Sequence, residues 1–210
     1  PRHPEVPFPP RREYLATLAG GVALALGMQR FGRVSPALRP PGAAPDVELR
    51  QRCIRCGSCV RACPTGALRP AGVDAGPLAF ELPVLVGACA WDCNACGQVC
   101  PTVAIRELPL AVKRRWRIGR AVIDGARCGP HARGEACLWC YAACPRSAIR
   151  FRESPRRLSW GDPLLLPEVD LEQCTGCGLC ETRCPAAPSA IRVVPCALTE
   201  RLVAPTDVDG

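Results

Sequence analysis

The residues able to do chemistry in this 210-residue chain are its 17 cysteines, and their spacing is regular. Sixteen fall into four runs that each close on Cys-Pro. The first (Cys53, Cys56, Cys59, Cys63, then Pro64) and the last (Cys174, Cys177, Cys180, Cys184, then Pro185) both read C-x2-C-x2-C-x3-C-P. In the second run, Cys89, Cys93, Cys96 and Cys100 precede Pro101, and the first gap widens to three residues. In the third, Cys128 leads Cys137, Cys140, Cys144 and Pro145 by a gap of eight. Only that first gap varies, so C-x2-C-x3-C-P recurs four times within one chain. Three thiolates on a tight loop are the donor set for three irons of a [4Fe–4S] cube, while the fourth cysteine of the run reaches the neighbouring cube. The expectation is four [4Fe–4S] clusters with these sixteen cysteines as their iron ligands.

Other cysteine chemistries fit less well. Structural zinc uses paired knuckles, not a third cysteine three residues on and a fourth followed by proline. A disulfide scaffold is disfavoured by the odd count and the regular spacing. No C-x-x-C-H occurs, so c-type haem is excluded. Gly57, Gly97 and Gly178 follow cluster cysteines where backbone must approach the inorganic core or take positive φ.

The rest of the composition agrees. Four Trp, two Tyr and four Phe cannot fill a sizeable core, and no acid–base pair, nucleophile constellation or phosphate loop is visible, so no catalytic residues are expected. The net charge is +8, carried by arginines with Lys113 as the sole lysine. An oxidised cube with four thiolates carries about −2, so four would offset that excess and weaken any case for nucleic-acid binding.

The loops that present these thiols must be held by repeated elements. The first cysteines of successive runs lie 36, 39 and 46 residues apart. A near-copy follows three of them: Pro64 to Arg69, Pro101 to Arg106 and Pro145 to Arg150; the fourth, Pro185 to Arg192, carries two extra residues. Short β-type stretches precede three runs, at Leu82 to Val86, Ala121 to Ile123 and Val169 to Leu171. Each repeat reads as strand, cluster loop, helical turn and strand, half of a two-cluster ferredoxin. The fold class is therefore α+β, with two bacterial-ferredoxin-like modules of two clusters each, short strands, short helices and long loops, plus an N-terminal apolar helix.

For the pairing of halves, the segment from Ile105 through the basic Lys113–Arg117 turn to Asp124 reads as a hairpin joining runs two and three. That nested order makes one module of 53–82 and 165–196, holding clusters one and four, and another of 83–164, holding clusters two and three. Cys53, Cys56 and Cys59 would then share a cube with Cys184, and Cys174, Cys177 and Cys180 with Cys63. Sequential pairing stays open, since Ile149–Phe151 and Val169–Leu171 could form a similar hairpin. Residues 36–52 read as a Pro-rich linker and 197–210 as a tail.

Residues 1–35 read as a twin-arginine-like signal or membrane anchor segment, with an Ala-rich buried or interfacial helix, or a linker, as the alternative. Arg11-Arg12-Glu13-Tyr14-Leu15 precedes an apolar stretch to Met28 that is short for a span and sized for a signal. Twin arginines before a weakly apolar segment resemble the signal that exports folded, cofactor-loaded proteins. This predicts a place at the periplasmic face of the inner membrane, by export or by tethering.

Taken together, the twin arginines, Leu38–Ala43, Cys53-Ile54-Arg55-Cys56-Gly57, the stretched third run, Cys174-Thr175-Gly176-Cys177-Gly178 and Ala190–Pro195 resemble the NapG/MauM family of periplasmic four-cluster ferredoxin-type proteins. The second run departs from that family's C-x2-C-x4-C-x3-C-P. The resemblance implies electron transfer from a polytopic membrane quinol-oxidising protein toward periplasmic redox partners, with neither nucleic acid nor a small-molecule substrate. Two alternatives are an iron–sulfur subunit of a molybdopterin enzyme or hydrogenase and, suggested only by charge, an iron–sulfur nucleic-acid-binding protein. Trp91, Trp139 and Tyr141 are expected to pack as core, Cys196 to be a buried inert thiol, His131 a surface loop residue, and the Lys113–Arg117 run a solvated turn or docking face.

Overall fold

A computed structural model describes residues 37–196. The expected signal or anchor, its apolar helix and the C-terminal tail lie outside the described residues.

In chain order the elements are α1 (Asp46–Arg52), α2 (Ser58–Arg61), β1 (Leu68–Pro70), β2 (Pro83–Leu85), α3 (Ala95–Gln98), α4 (Leu110–Lys113), β3 (Arg120–Ile123), α5 (Gly129–Ala132), α6 (Trp139–Ala142), β4 (Ile149–Arg157), β5 (Pro163–Val169), α7 (Leu179–Arg183) and β6 (Ile191–Val194). Helices of four or five residues do not hold themselves together in water. α2, α3, α6 and α7 instead carry the third cysteine of each run, Cys59, Cys96, Cys140 and Cys180. The helical turn thus lies inside the cysteine run instead of after it, as the repeat pattern had suggested.

Three two-stranded antiparallel sheets link the repeats. β1 pairs with β2, Leu68 opposite Leu85, so the strand leaving run one meets the strand entering run two. β4 pairs with β5, Ile149 opposite Val169, and joins runs three and four in the same way. β3 pairs with β6, Ala121 opposite Val193, closing the second module at its outer ends; the Ala43–Ile105 bridge closes the first.

This corrects the nested pairing. Runs one and two form one module and runs three and four the other, so a division into 53–82 with 165–196 and 83–164 does not describe the fold. The reason is local. A strand that folds straight back closes a short loop at small entropic cost, whereas the segment after Ile105 is held away from hairpin geometry. α4 begins after Pro109, the Lys113 side chain is buried, and the Ile118 N–H donates to the Thr175 carbonyl of the other module at 2.8 Å.

The described part of the expected linker, residues 37–52, packs into the fold. Pro40, Pro41 and Gly42 are buried, the Ala44 N–H donates to Ala104 at 3.0 Å and the Arg106 N–H to Gly42 at 2.8 Å. Prolines lack the N–H a sheet would demand, but the carbonyls of Leu38, Pro40 and Gly42 accept from Leu85, Ala43 and Arg106. Arg39 clamps the segment, 2.8 Å from Asp46 and 3.0 Å from the Pro83 carbonyl. α1 follows with Asp46 and Glu48 in its first turn and Arg50 and Arg52 in its last, charges that complement the helix dipole.

Apolar packing is thin. One cluster joins Ala44, Leu49, Ala79, Leu82 and Ala104, and another Ala67, Leu68 and Leu85. The third contains Cys140, Cys174 and Cys180 beside Ala121, Ala148, Ile149 and Ile191. Cysteines occupy positions where a larger core would place leucine.

Candidate functional site

The sixteen sulfurs gather in four sets, each taking three cysteines from one run and the fourth from its partner run. Cys53, Cys56 and Cys59 line one cavity with Cys100, and Cys89, Cys93 and Cys96 line another with Cys63. Cys128, Cys137 and Cys140 meet Cys184, while Cys174, Cys177 and Cys180 meet Cys144. Cys63 and Cys184 therefore stay within their own modules, which corrects the nested ligand sets. Half-buried Cys196 lines none of these cavities.

Local geometry aims the donors. Gly57 and Gly178, at φ +70° and +83°, turn the chain into α2 and α7. Gly97 meets a different demand: a Cβ there would lie 2.5 Å from the Arg106 carbonyl oxygen, so the run packs against the strand beyond it. After each fourth cysteine the backbone folds over the sulfur. The N–H of Ile105 points at Cys100 Sγ at 3.4 Å, that of Ala148 at Cys144 at 3.2 Å, and that of Ala190 at Cys184 at 3.4 Å. Positive φ at Gly66, Val103 and Ser147, the same place in three repeats, produces that fold-over. Hydroxyls add to it, with Thr65 3.6 Å from Cys63 Sγ and Thr102 3.9 Å from Cys100 Sγ.

Burial and neighbouring sulfurs divide the thiols by position. Burial, reinforced by adjacent cysteines, pushes the third cysteine up in each run, to about 11 for Cys59 and Cys140 and about 12 for Cys96, and further for Cys180. At Cys63 burial also pushes upward, but hydrogen bonds from Thr65 and from the backbone of Leu68, Thr65 and Ala67 outweigh it and hold the thiol below its usual range. The same balance lowers Cys184, through the backbone of Ala186, Ala190 and Ile191 and the Ser189 hydroxyl.

These sets fit [4Fe–4S] clusters. Each offers four sulfurs around one cavity, with N–H donors aimed at ligand sulfur in the manner that tunes such clusters. Among the described residues, no group of three or more His, Cys, Asp or Glu side chains draws together as one metal ion requires.

The sets also have an order. Within the first module α2, carrying Cys59, packs on α3, carrying Cys96, and within the second α6, carrying Cys140, packs on α7, carrying Cys180. Between modules the Cys89 N–H donates to the Cys177 carbonyl at 2.8 Å. The line therefore runs from set one to set two, across the junction to set four, and out to set three. Sets one and three border wide cavities of about 240 and 300 Å³, while sets two and four border far narrower ones. Exposed Ile54 rims the first end, and exposed Leu138 and Trp139 lie at the other.

Several side chains fall differently from expectation. Trp139 is 58% exposed and not core, and Tyr141 is exposed with its ring 5.2 Å from Phe151. His131 is half-buried in α5, with Nε2 3.0 Å from the Pro167 carbonyl oxygen. The basic run divides: Arg114 and Arg117 are exposed, but Lys113 is 4% exposed between the modules. Its being the sole lysine among 27 basic residues was the signal that could have singled it out.

The 4Fe–4S dicluster domain family matches the chain twice, at residues 52–104 and 135–187, so each module is a dicluster domain and the chain carries four [4Fe–4S] clusters. A methylamine utilization ferredoxin-type protein, MauM of Methylorubrum extorquens, is 34% identical over 200 residues, covering 89% of this chain and 90% of its own length. The ferredoxin-type protein NapG of Escherichia coli is 34% identical over 201 residues, covering 90% and 85%. A chain of the formate dehydrogenase–heterodisulfide reductase–formylmethanofuran dehydrogenase complex from Methanospirillum hungatei matches at TM-score 0.28 and 20% identity, over 69% of this chain and 51% of that one, too distant to bear on function. The chain belongs to the NapG/MauM family of ferredoxin-type iron–sulfur electron-transfer proteins, built from two 4Fe–4S dicluster domains.

Proposed function

We propose that the chain is a linear electron relay in which the four sulfur sets ligate four [4Fe–4S] clusters, carrying electrons in the order one, two, four, three. The observation that carries this is the sequence of sulfur sets, with α2 packed on α3, the Cys89 N–H donating to the Cys177 carbonyl and α6 packed on α7. Each bound cluster supplies reversible one-electron chemistry. The protein's part is to hold the sulfurs, direct N–H groups at Cys63, Cys100, Cys144 and Cys184, and leave both ends of the line accessible.

The reading extends to partners of different kinds at the two ends: a polytopic membrane protein that oxidises quinol and a periplasmic redox system. Supporting it are the twin arginines and apolar stretch near the N-terminus and the likeness to NapG and MauM proteins. Anaerobic purification with iron and sulfide counts, joined to an EPR redox titration, tests the relay, for which four clusters give about 16 irons per chain. Eight or fewer irons, or stoichiometric zinc, would overturn it. Reduction of the full-length protein by membranes supplied with quinol tests the partner, and failure of membrane-dependent reduction would remove that part alone.

A further inference from the structure

Lys113 is 4% exposed, and its ammonium donates to the carbonyl oxygens of Ala90 and Trp91, the latter at 2.9 Å, while lying 5.9 Å from the Trp91 ring centroid. Those carbonyls immediately follow Cys89, whose N–H bonds the Cys177 carbonyl of the other module. The side chain therefore ends at the seam between sets two and four.

A buried cation needs a counter-charge. Among the described residues no carboxylate forms an ion pair with Lys113; nearby Asp92 is taken by Arg114. The negative charge on this seam is that of two ligated clusters, about −2 each when oxidised. We infer that the Lys113 ammonium is a cation shared by the two inner clusters, making both easier to reduce and easing the crossing between modules. This rests on the relay reading above. Each reduction adds one electron, supplied in the titration by dithionite, and makes or breaks no bond.

The test is an anaerobic EPR redox titration of full-length protein as wild type, Lys113→Gln and Lys113→Arg, with iron counted in each. Glutamine keeps an N–H donor and drops the charge; arginine keeps the charge. The expected result is a full complement of about 16 irons in all three. In Lys113→Gln, two of the four midpoints should fall by about tenfold in reduction equilibrium, or about 59 mV for one electron. The other two should not move, and Lys113→Arg should stay near wild type. Unmoved midpoints, four midpoints moving together, or an arginine variant shifted as far as glutamine would overturn the shared cation. So would loss of iron in Lys113→Gln, which would make the side chain a structural post. A wild type short of about 16 irons would instead sink the relay reading and this inference with it.

Discussion

Removing Cys56 and Cys59 together should cost the chain one cluster, because both sulfurs line the cavity that Cys100 completes. With about four irons per cluster, the count should fall from about 16 to about 12. The informative step is the third substitution. Adding Cys100→Ala should cost nothing more, because that sulfur belongs to the cluster already lost. Adding Cys184→Ala should remove a second cluster, the one whose other donors are Cys128, Cys137 and Cys140, leaving about 8 irons. Nested pairing reverses the order, with Cys184 costing nothing and Cys100 costing a cluster. Both triple variants share one double-variant background, so any general destabilisation cancels in the comparison. The reciprocal background, Cys137→Ala with Cys140→Ala, should show the mirror image, silent to Cys184→Ala and sensitive to Cys100→Ala. Iron and acid-labile sulfide are assayed on anaerobically purified protein, with integrated EPR of the dithionite-reduced form as a check. Equal losses in the two triple variants, or a loss only with Cys100→Ala, would refute the sequential pairing of the motifs.

Three further perturbations probe the frame. At Gly176, φ is +70° and a Cβ would fall 2.4 Å from the Gly119 backbone across the seam, whereas Gly66, at φ +62°, has nothing within 4 Å. Both alanine variants bear the left-handed backbone cost of about 1–2 kcal/mol, and Gly176→Ala adds an overpacking cost of about 1–3 kcal/mol; anaerobic thermal unfolding in which the two lose equal stability would contradict the close approach. Arg39→Ala should destabilise the first module by about 1.5–3 kcal/mol, the scale for hydrogen bonds to charged groups; an unchanged denaturant midpoint would return residues 36–52 to the status of linker. Cluster assembly must displace protons from thiols that burial holds up at about 11 in Cys59 and Cys140 and about 12 in Cys96. These thiols are protonated throughout the neutral range, so each pH unit upward favours the iron-bound form and each unit downward favours release. Iron retained against a chelator should therefore fall as pH drops from about 8 to about 6, and a rise would contradict the burial argument.

Much of this molecule is readable before any coordinates exist, because ligating a cluster is a local demand. Three sulfurs must converge from a few residues of backbone, and Cys53-x2-Cys56-x2-Cys59 meets that demand wherever it stands in the fold. The turns that follow are local too. The likeness among Pro64–Arg69, Pro101–Arg106 and Pro145–Arg150 reflects one need, to bring N–H groups over the fourth sulfur. Hence the motif residues and cluster number could be written down from spacing, and the α+β class from the repeated elements around the runs.

The fourth sulfur obeys no such rule. Cys63 and Cys184 carry no mark of which distant loop they join, because strand pairing between repeats that are near-copies is almost degenerate in sequence. What broke the degeneracy was how the connections pack. Residues 71–82 fold back tightly between β1 and β2, the long β4–β5 ladder joins runs three and four, and the segment after Ile105 lies across the seam with Lys113 buried. The Pro-rich stretch at 37–45 misled for a related reason, since a Pro-rich sequence reads as linker until another segment, here residues 104–106, pairs with its carbonyls and amides. Sequence by itself determined how many clusters the chain carries and which sulfurs stand in cluster-binding runs, since each run is a local pattern. Only the tertiary structure decided which runs bring their sulfurs together, in what order the sulfur sets lie, and that the sole lysine stands between the middle two, because those depend on contacts between segments tens of residues apart.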